Sequence, residues 1–146
     1  MTNTHGVILI VEDEEDDVFF LKRSFQQAGI NNPLHVSENC GDAIDYISGT
    51  GAYADRVKSP MPILVLLDLR LPDKSGVEFL KKVRALKIRS MPVIVFTSST
   101  NLADIRAAYD AGATSYVAKP STDAERKRLA TVIKEYWLGY NLFPPG

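Results

Sequence analysis

Four short apolar runs in this chain each end in charged or hydroxyl side chains. The runs and the residues after them are 7–11 with Glu12 and Asp13, 63–67 with Asp68, 93–96 with Thr97, and 116–118 with Lys119. If the runs are parallel strands, these side chains share the carboxyl edge of one sheet, where ligands bind in open α/β folds. Three carboxylates, a hydroxyl and an ammonium at one edge predict a site for a divalent cation and a phosphoryl group.

Strand-like and helix-like segments alternate along the chain. The predicted strands are 6–11, 33–37, 63–67, 91–96 and 115–118; the predicted helices are 14–28, 42–47, and segments opened by Ser75, by Thr100 or Asn101, and by Ser121. Five strands alternating with five helices predict a doubly wound α/β fold with a parallel sheet. A flavodoxin-like (βα)5 order of 2-1-3-4-5 puts Glu12 and Asp13 beside Asp68.

Helical periodicity predicts which side chains face the core. The third helix, with Ser75 and Glu78 as a capping box, is expected to bury Val77, Leu80, Val83 and Leu86. The last helix carries an apolar stripe of Leu129, Val132, Ile133, Tyr136, Trp137 and Tyr140. The longest irregular stretch, 49–62, is interpreted either as a surface loop or as a loop that contacts a partner.

Composition narrows the class of protein. A length of 146 residues is typical of one domain, here 1–146, with a core over about 7–136 and an extended C-terminal helix and tail over 137–146. The net charge of -1 gives no reason to expect nucleic acid or an anionic membrane as a partner. One cysteine, no signal peptide and no apolar run near the roughly 20 residues of a membrane span predict a soluble cytoplasmic protein.

The acidic residues favour phosphoryl chemistry at the sheet edge. Glu12, Asp13 and Asp68 supply oxygen ligands of the kind that Mg²⁺ prefers, and Asp68 is the candidate nucleophile, becoming an acyl phosphate. Lys119 and Thr97 are placed to contact phosphoryl oxygens. The remaining acidic residues, 14–17, are interpreted as a solvated start to the first helix, where the helix dipole favours negative charge.

Four segments in this order carry a family likeness. "ILIVEDE", "LVLLDLRLPDKSG", "VIVFTSS" and "SYVAKP" resemble the receiver domain of two-component response regulators over about 7–136. The resemblance implies transfer of a phosphoryl group from a histidine kinase to Asp68, with slow autodephosphorylation and no other enzyme activity. It implies Mg²⁺, for which Mn²⁺ can substitute, bound by Asp13, Asp68 and the backbone carbonyl of Arg70, with Glu12 acting through water. Thr97 and Tyr116 match the switch positions, Lys119 matches the phosphate-contacting lysine, and Pro120 is a candidate for a cis peptide bond.

Two further segments resemble one particular group within this family. The insert "GTGAYADRVKSPMP" and the tail "EYWLGYNLFPP" look like single-domain regulators that serve phytochrome-type kinases. Because the chain ends where a receiver ends, we expect the output to pass through protein contacts. A homodimer through helix 4, strand 5, helix 5 and the C-terminal tail is one such contact.

Three other functions compete with this interpretation. A phosphotransfer intermediate or phosphate sink, without an output partner, remains open. A Mg²⁺-dependent aspartyl phosphatase is disfavoured, because such enzymes usually carry a second acidic residue two positions after the nucleophile, where this chain has Arg70. A flavin-binding protein is disfavoured because the acidic residues 12–17 would repel a phosphate after strand 1.

Overall fold

A computed structural model describes residues 5–86, 88 and 91–144. The strands are β1 (Ile8–Val11), β2 (Leu34–Ser37), β3 (Leu64–Leu67), β4 (Val93–Thr97) and β5 (Ser115–Ala118). The helices are α1 (Glu15–Ala28), α2 (Cys40–Ser48), α3 (Gly76–Ala85), α4 (Leu102–Asp110) and α5 (Asp123–Val132). All strand pairs are parallel, in the order β2-β1-β3-β4-β5, which confirms the predicted flavodoxin-like fold.

The register of the sheet fixes the position of its polar edge. Val11 in β1 pairs with Leu67 in β3, so the next residues, Glu12 and Asp68, leave neighbouring strands at the same level. Thr97 is the last residue of β4 and pairs with Ala118 of β5, directly before Lys119. The four chain segments therefore deliver their functional side chains to one edge.

The sheet is buried on both faces by two apolar layers. Leu9, Val65 and Val95 face the side covered by α2, α3 and α4, while Ile10 and Leu66 face α1 and α5. Strands buried on both faces need near-continuous apolar sequence, and every residue of β1 and β3 is buried. This rigid centre supports the polar edge.

Helix ends follow local sequence signals with one correction. Gly29 takes the left-handed conformation that ends α1, with φ of 81°. The side chains of Ser75 and Asn101 accept hydrogen bonds from the backbone of the first turns of α3 and α4. The cap of α5 is Thr122 rather than the predicted Ser121, because Thr122 Oγ1 accepts a bond from the Glu125 N–H.

Two predicted apolar faces need correction. In α3 the core side chain that the prediction missed is Phe79, fully buried, whereas Leu86 lies just past the helix end and is 43% exposed. In the C-terminal stripe, Ile133 is buried and Trp137 packs against the α1–α5 layer, while Val132, Tyr136 and Tyr140 are exposed. From Ile133 to Tyr140 the helix is π-helical, which rotates Tyr136 and Tyr140 away from a 3.6-residue stripe. Val132, the last residue of α5, is exposed before this change of period.

The segment 49–62 is tied to α2 rather than loosely attached. It contains a short 3₁₀ helix, Gly51–Tyr53, and the guanidinium of Arg56 donates to the backbone oxygens of Tyr46, Ile47 and Ser59. These bonds satisfy carbonyls at the C-terminal end of α2 that have no partner within the helix.

Residues 145 and 146 of the predicted tail lie outside the described residues. None of the helices in the described part of the chain has the length and apolar character needed to cross a membrane.

Candidate functional site

Three carboxylates meet where β1 and β3 end. Glu12 and Asp68 are buried and Asp13 is partly exposed. One oxygen from each of Glu12, Asp13 and Asp68 lies within 4.8 Å of the others. An all-oxygen group of this kind suits a hard divalent cation, and receiver domains bind one.

Lys119 reaches this cluster from the end of β5. Its Nζ lies 2.5 Å from Glu12 Oε1, 2.7 Å from Asp17 Oδ2 and 3.3 Å from Asp68 Oδ2. The lysine crosses the end of β4, which separates β5 from β3 in the sheet. An ammonium held in this place offsets part of the repulsion among the carboxylates.

Burial and charge change the acid–base properties of this group. Burial, assisted by the charge of Asp68, raises the pKa of Glu12 to about 7 against the opposing hydrogen bond from Lys119. Burial alone would lower the pKa of Lys119, but hydrogen bonds to Asp17 and Glu12 and the charge of Asp68 outweigh burial and raise it. Lys119 therefore stays a cation throughout the physiological pH range.

The predicted switch residues flank the carboxylates on the β4 side. Thr97 is buried at the end of β4 and lines the same cleft as Asp68 and Lys119. The Tyr116 hydroxyl donates to the Ser99 backbone oxygen at 2.9 Å, and the Ser99 hydroxyl donates to Asp104 at 2.5 Å. These bonds fix the β4–α4 loop against β5.

The loop after Asp68 closes on itself and on α2. Gly76 N–H donates to the Leu69 oxygen at 2.9 Å, and Arg70 N–H lies 3.4 Å from Asp68 Oδ1. At the tip, the Asp73 carboxylate accepts the backbone N–H groups of Cys40 and Gly41, each at 2.9 Å. The bonds from Cys40 and Gly41 outweigh the effect of burial and lower the pKa of Asp73.

The family resemblance makes Pro120 a candidate for a cis peptide bond and leaves its isomer open. The Lys119–Pro120 peptide bond is trans, since no cis bond occurs in the described ranges. The trans form is intrinsically preferred before proline by about 0.5–1 kcal/mol. Lys119 reaches its three carboxylates with this bond trans, so a cis bond is not required to aim it.

Sequence reasoning missed one residue of this group. The sequence predicts that Asp17, like Asp16, belongs to a solvated acidic helix start, yet the Asp17 carboxylate bonds to Lys119. The available signal is position: Asp17 lies in the first turn of α1, a few residues after Glu12 and Asp13. This position alone does not reveal that a lysine from β5 arrives there.

Comparison with known proteins agrees with this geometry. The family model of the response regulator receiver domain matches residues 8–133. The probable methanogenesis regulatory protein FilR2 of Methanothrix harundinacea is 37% identical over 142 residues, covering 94% of this chain and 87% of that protein. Rcp1, a response regulator of Synechocystis, is 30% identical over 138 residues, covering 94% and 92% of the two chains.

Solved structures give the same result. The Mn²⁺-bound form of Rcp1 matches with a TM-score of 0.83 at 29% identity, over 95% of this chain and 99% of that chain. The phosphorylated cyanobacterial phytochrome response regulator RcpA matches with a TM-score of 0.87 at 27% identity, over 97% and 99% of the two chains. This protein therefore belongs to the response regulator receiver family, whose domains are phosphoryl-accepting switches driven by histidine kinases.

Proposed function

We propose that Asp68 is the residue that accepts the phosphoryl group, and that the protein is a signalling switch operated by this modification. One observation carries the proposal: Asp68, Glu12 and Lys119 meet at one edge of the sheet, with Lys119 Nζ 3.3 Å from Asp68 Oδ2. Asp68 is buried at the end of the central strand β3, yet it lines an open cleft that a phosphodonor can enter.

In the proposed transfer step, Asp68 is the nucleophile and the histidine imidazole is the leaving group. A carboxylate oxygen of Asp68 attacks the phosphorus of a kinase phosphohistidine, and an O–P bond forms as the N–P bond breaks. The imidazole leaves with the electron pair of that bond and takes up a proton. Lys119 is a fixed positive charge beside the attacked phosphoryl group, which stabilises negative charge on its oxygens.

We assign the cation as Mg²⁺, with Mn²⁺ as a substitute. Asp13, Asp68 and the backbone carbonyl of Arg70 would hold it, and Glu12 would act through water. The fit rests on the spacing of the three carboxylates and on a donor set made only of oxygen. The Mn²⁺-bound form of Rcp1 supports a divalent cation in a close relative. When bound, such a cation neutralises charge on the phosphoryl oxygens.

Thr97 and Tyr116 are proposed to convey the modification to the surface. The buried Thr97 hydroxyl moves toward the phosphoryl group, and the Tyr116 ring occupies the space that it leaves. Such a movement breaks the bond from the Tyr116 hydroxyl to Ser99 and shifts the face formed by α4, β5 and α5. The modification thereby favours one of two pre-existing states.

The partners are proposed from chemistry and from relatives. The proposed kinase is a phytochrome-type sensor kinase, because RcpA, which this chain resembles, is described as a phytochrome response regulator. The exposed side chains of Tyr109, Val132, Tyr136 and Tyr140 support a homodimer through α4, β5, α5 and the tail. We propose a cytoplasmic location, in line with the single cysteine of the chain. We propose no direct contact with nucleic acid, in line with the net charge of -1.

Mass spectrometry tests the phosphoacceptor. Incubation with acetyl phosphate and Mg²⁺ is expected to add one phosphoryl group to the intact protein, and Asp68→Asn is expected to abolish the addition. Asp110→Asn is the matched control, because it makes the same change at an exposed position at the end of α4. Labelling of the Asp68→Asn variant at the wild-type level would refute the assignment.

A further inference from the structure

Lys119 has all its hydrogen-bond donors engaged before any phosphoryl group arrives. A lysine ammonium offers three N–H donors. Three carboxylates lie within hydrogen-bond distance of Nζ: Glu12, Asp17 and Asp68. A phosphoryl oxygen that is to receive a bond from Lys119 must therefore displace one of these partners.

The three partners differ in how readily water replaces the lysine. The side chains of Glu12 and Asp68 are only 7% and 8% exposed, whereas that of Asp17 is 39% exposed. A buried carboxylate that loses its cation is left without compensation, which is costly. A half-exposed carboxylate is rehydrated at once, and its ion pair contributes little to stability. Asp17 is therefore the partner that is lost at the lowest free-energy cost.

Position along the chain sets Asp17 apart from its acidic neighbours. Glu15, Asp16 and Asp17 all lie in the first turn of α1, where they interact favourably with the helix dipole. Of these three, Asp17 has the carboxylate that bonds to Lys119, at 2.7 Å, and it lines the cleft with Asp68. Its role thus differs from that of a charge that only stabilises the helix end.

We propose that Asp17 is a positioning residue that occupies one N–H of Lys119 and releases it to the phosphoryl group when the phosphodonor binds. This inference rests on the proposed function of Asp68. Its consequence is that Asp17 competes with the incoming phosphoryl group for one N–H of Lys119. Removing the competitor leaves that N–H available to the donor from the outset.

Phosphorylation kinetics test the competition directly. With acetyl phosphate at saturating Mg²⁺, Asp17→Asn is expected to lower the KM for the donor by roughly two- to five-fold, the factor that corresponds to one partly exposed ion pair. The maximal rate is expected to stay at the wild-type value, because Asp17 acts through its bond to Lys119 and is not itself the attacking carboxylate. Asp17→Glu, which restores a carboxylate, is expected to return KM toward the wild-type value.

Two controls separate this role from a general effect of charge. Asp16→Asn removes the same charge from the same turn at an exposed site and is expected to leave KM almost unchanged, since surface charges are screened. In a Lys119→Gln background, Asp17→Asn is expected to have no further effect on KM, because the lysine through which it acts is gone.

The outcomes distinguish this inference from the proposed function. If the wild type is labelled normally but Asp17→Asn and Asp16→Asn have the same KM, the proposed competition for Lys119 is refuted. Asp68 remains the proposed acceptor in that case. An equal effect of Asp17→Asn with and without Lys119 would also overturn it. Absence of labelling in the wild type would overturn the proposed function and this inference together.

Discussion

Gly76 allows the loop after β3 to pass close to the start of α3 because it has no side chain. It is the first residue of α3, and a Cβ at this position would lie 2.7 Å from the Asp68 backbone oxygen and 2.8 Å from the Leu69 Cα. Real Cβ atoms essentially never approach other atoms this closely, and both of these atoms belong to the backbone of the acceptor loop. Gly76→Ala therefore forces the loop after β3 to move.

Two opposing effects set the size of the change in stability. Alanine in a helix is favoured over glycine by roughly 0.5–1 kcal/mol. Overpacking in a well-packed region costs typically about 1–3 kcal/mol. The added Cβ would clash with backbone atoms, which cannot move aside as a flexible side chain can. The cost of overpacking therefore outweighs the helix propensity of alanine. We expect Gly76→Ala to lower the free energy of unfolding by about 1–2 kcal/mol.

Gly41→Ala is the matched control in another helix. Gly41 is the second residue of α2, and a Cβ there would lie 3.4 Å from Asn39 Oδ1 and 3.5 Å from Asp73 Oδ2, which is ordinary contact. Because Gly41→Ala creates no clash with the backbone, the preference for alanine in a helix determines its effect. We expect the free energy of unfolding to be unchanged or raised by up to about 1 kcal/mol.

Urea unfolding followed by circular dichroism measures both variants. A fall in the midpoint for Gly76→Ala at constant m-value, with no fall for Gly41→Ala, is the expected pattern. Because the displaced oxygen belongs to Asp68, labelling by acetyl phosphate is also expected to slow in Gly76→Ala. A Gly76→Ala protein as stable as the wild type would refute the argument from close approach.

Two further predictions concern single side chains. Alkylation of Cys40 by iodoacetamide at pH 8 is expected to be about a thousand-fold slower in the folded than in the urea-unfolded protein, because burial and then the charge of Asp73 raise the pKa of its thiol from about 9 to about 12. The stabilisation of the fold by the neutral thiol is present below pH 9 and is lost as the pH rises toward 12. Equal alkylation rates of the folded and unfolded protein, measured by mass spectrometry, would contradict this prediction. Tyr116→Phe removes the hydrogen bond to the Ser99 oxygen and is expected to lower the free energy of unfolding by about 0.5–1.5 kcal/mol, whereas an unchanged urea midpoint would show that the bond contributes nothing.

Much of the fold could be predicted because its signals are local. Continuous apolar runs predicted both central strands, β1 and β3, and left-handed Gly29 ended α1 where expected. Right-handed crossovers keep the carboxyl ends of the strands on one side of the sheet, and the flavodoxin-like strand order brings Glu12 and Asp68 to one edge.

The remaining features depend on contacts that no local pattern encodes. Asp17 and Asp16 are equivalent in sequence, and the difference arises only because Lys119 arrives from β5, 102 positions along the chain. Ser121 and Thr122 are neighbouring residues of capping type, and only the position of the Glu125 N–H identifies Thr122 as the cap of α5. The shift to a π-helix at Ile133 changes which C-terminal side chains are buried, although the sequence keeps a regular helical period.

Chemical trapping of the modified side chain tests directly whether Asp68 carries the phosphoryl group. An acyl phosphate on an aspartate is reduced by borohydride to a stable alcohol, which marks the modified position in a peptide digest. After treatment with acetyl phosphate and Mg²⁺, we predict that the peptide containing residues 64–76 carries the reduced residue at position 68. Reduction at Asp13, at Glu12 or at another carboxylate, with position 68 intact, would contradict the account.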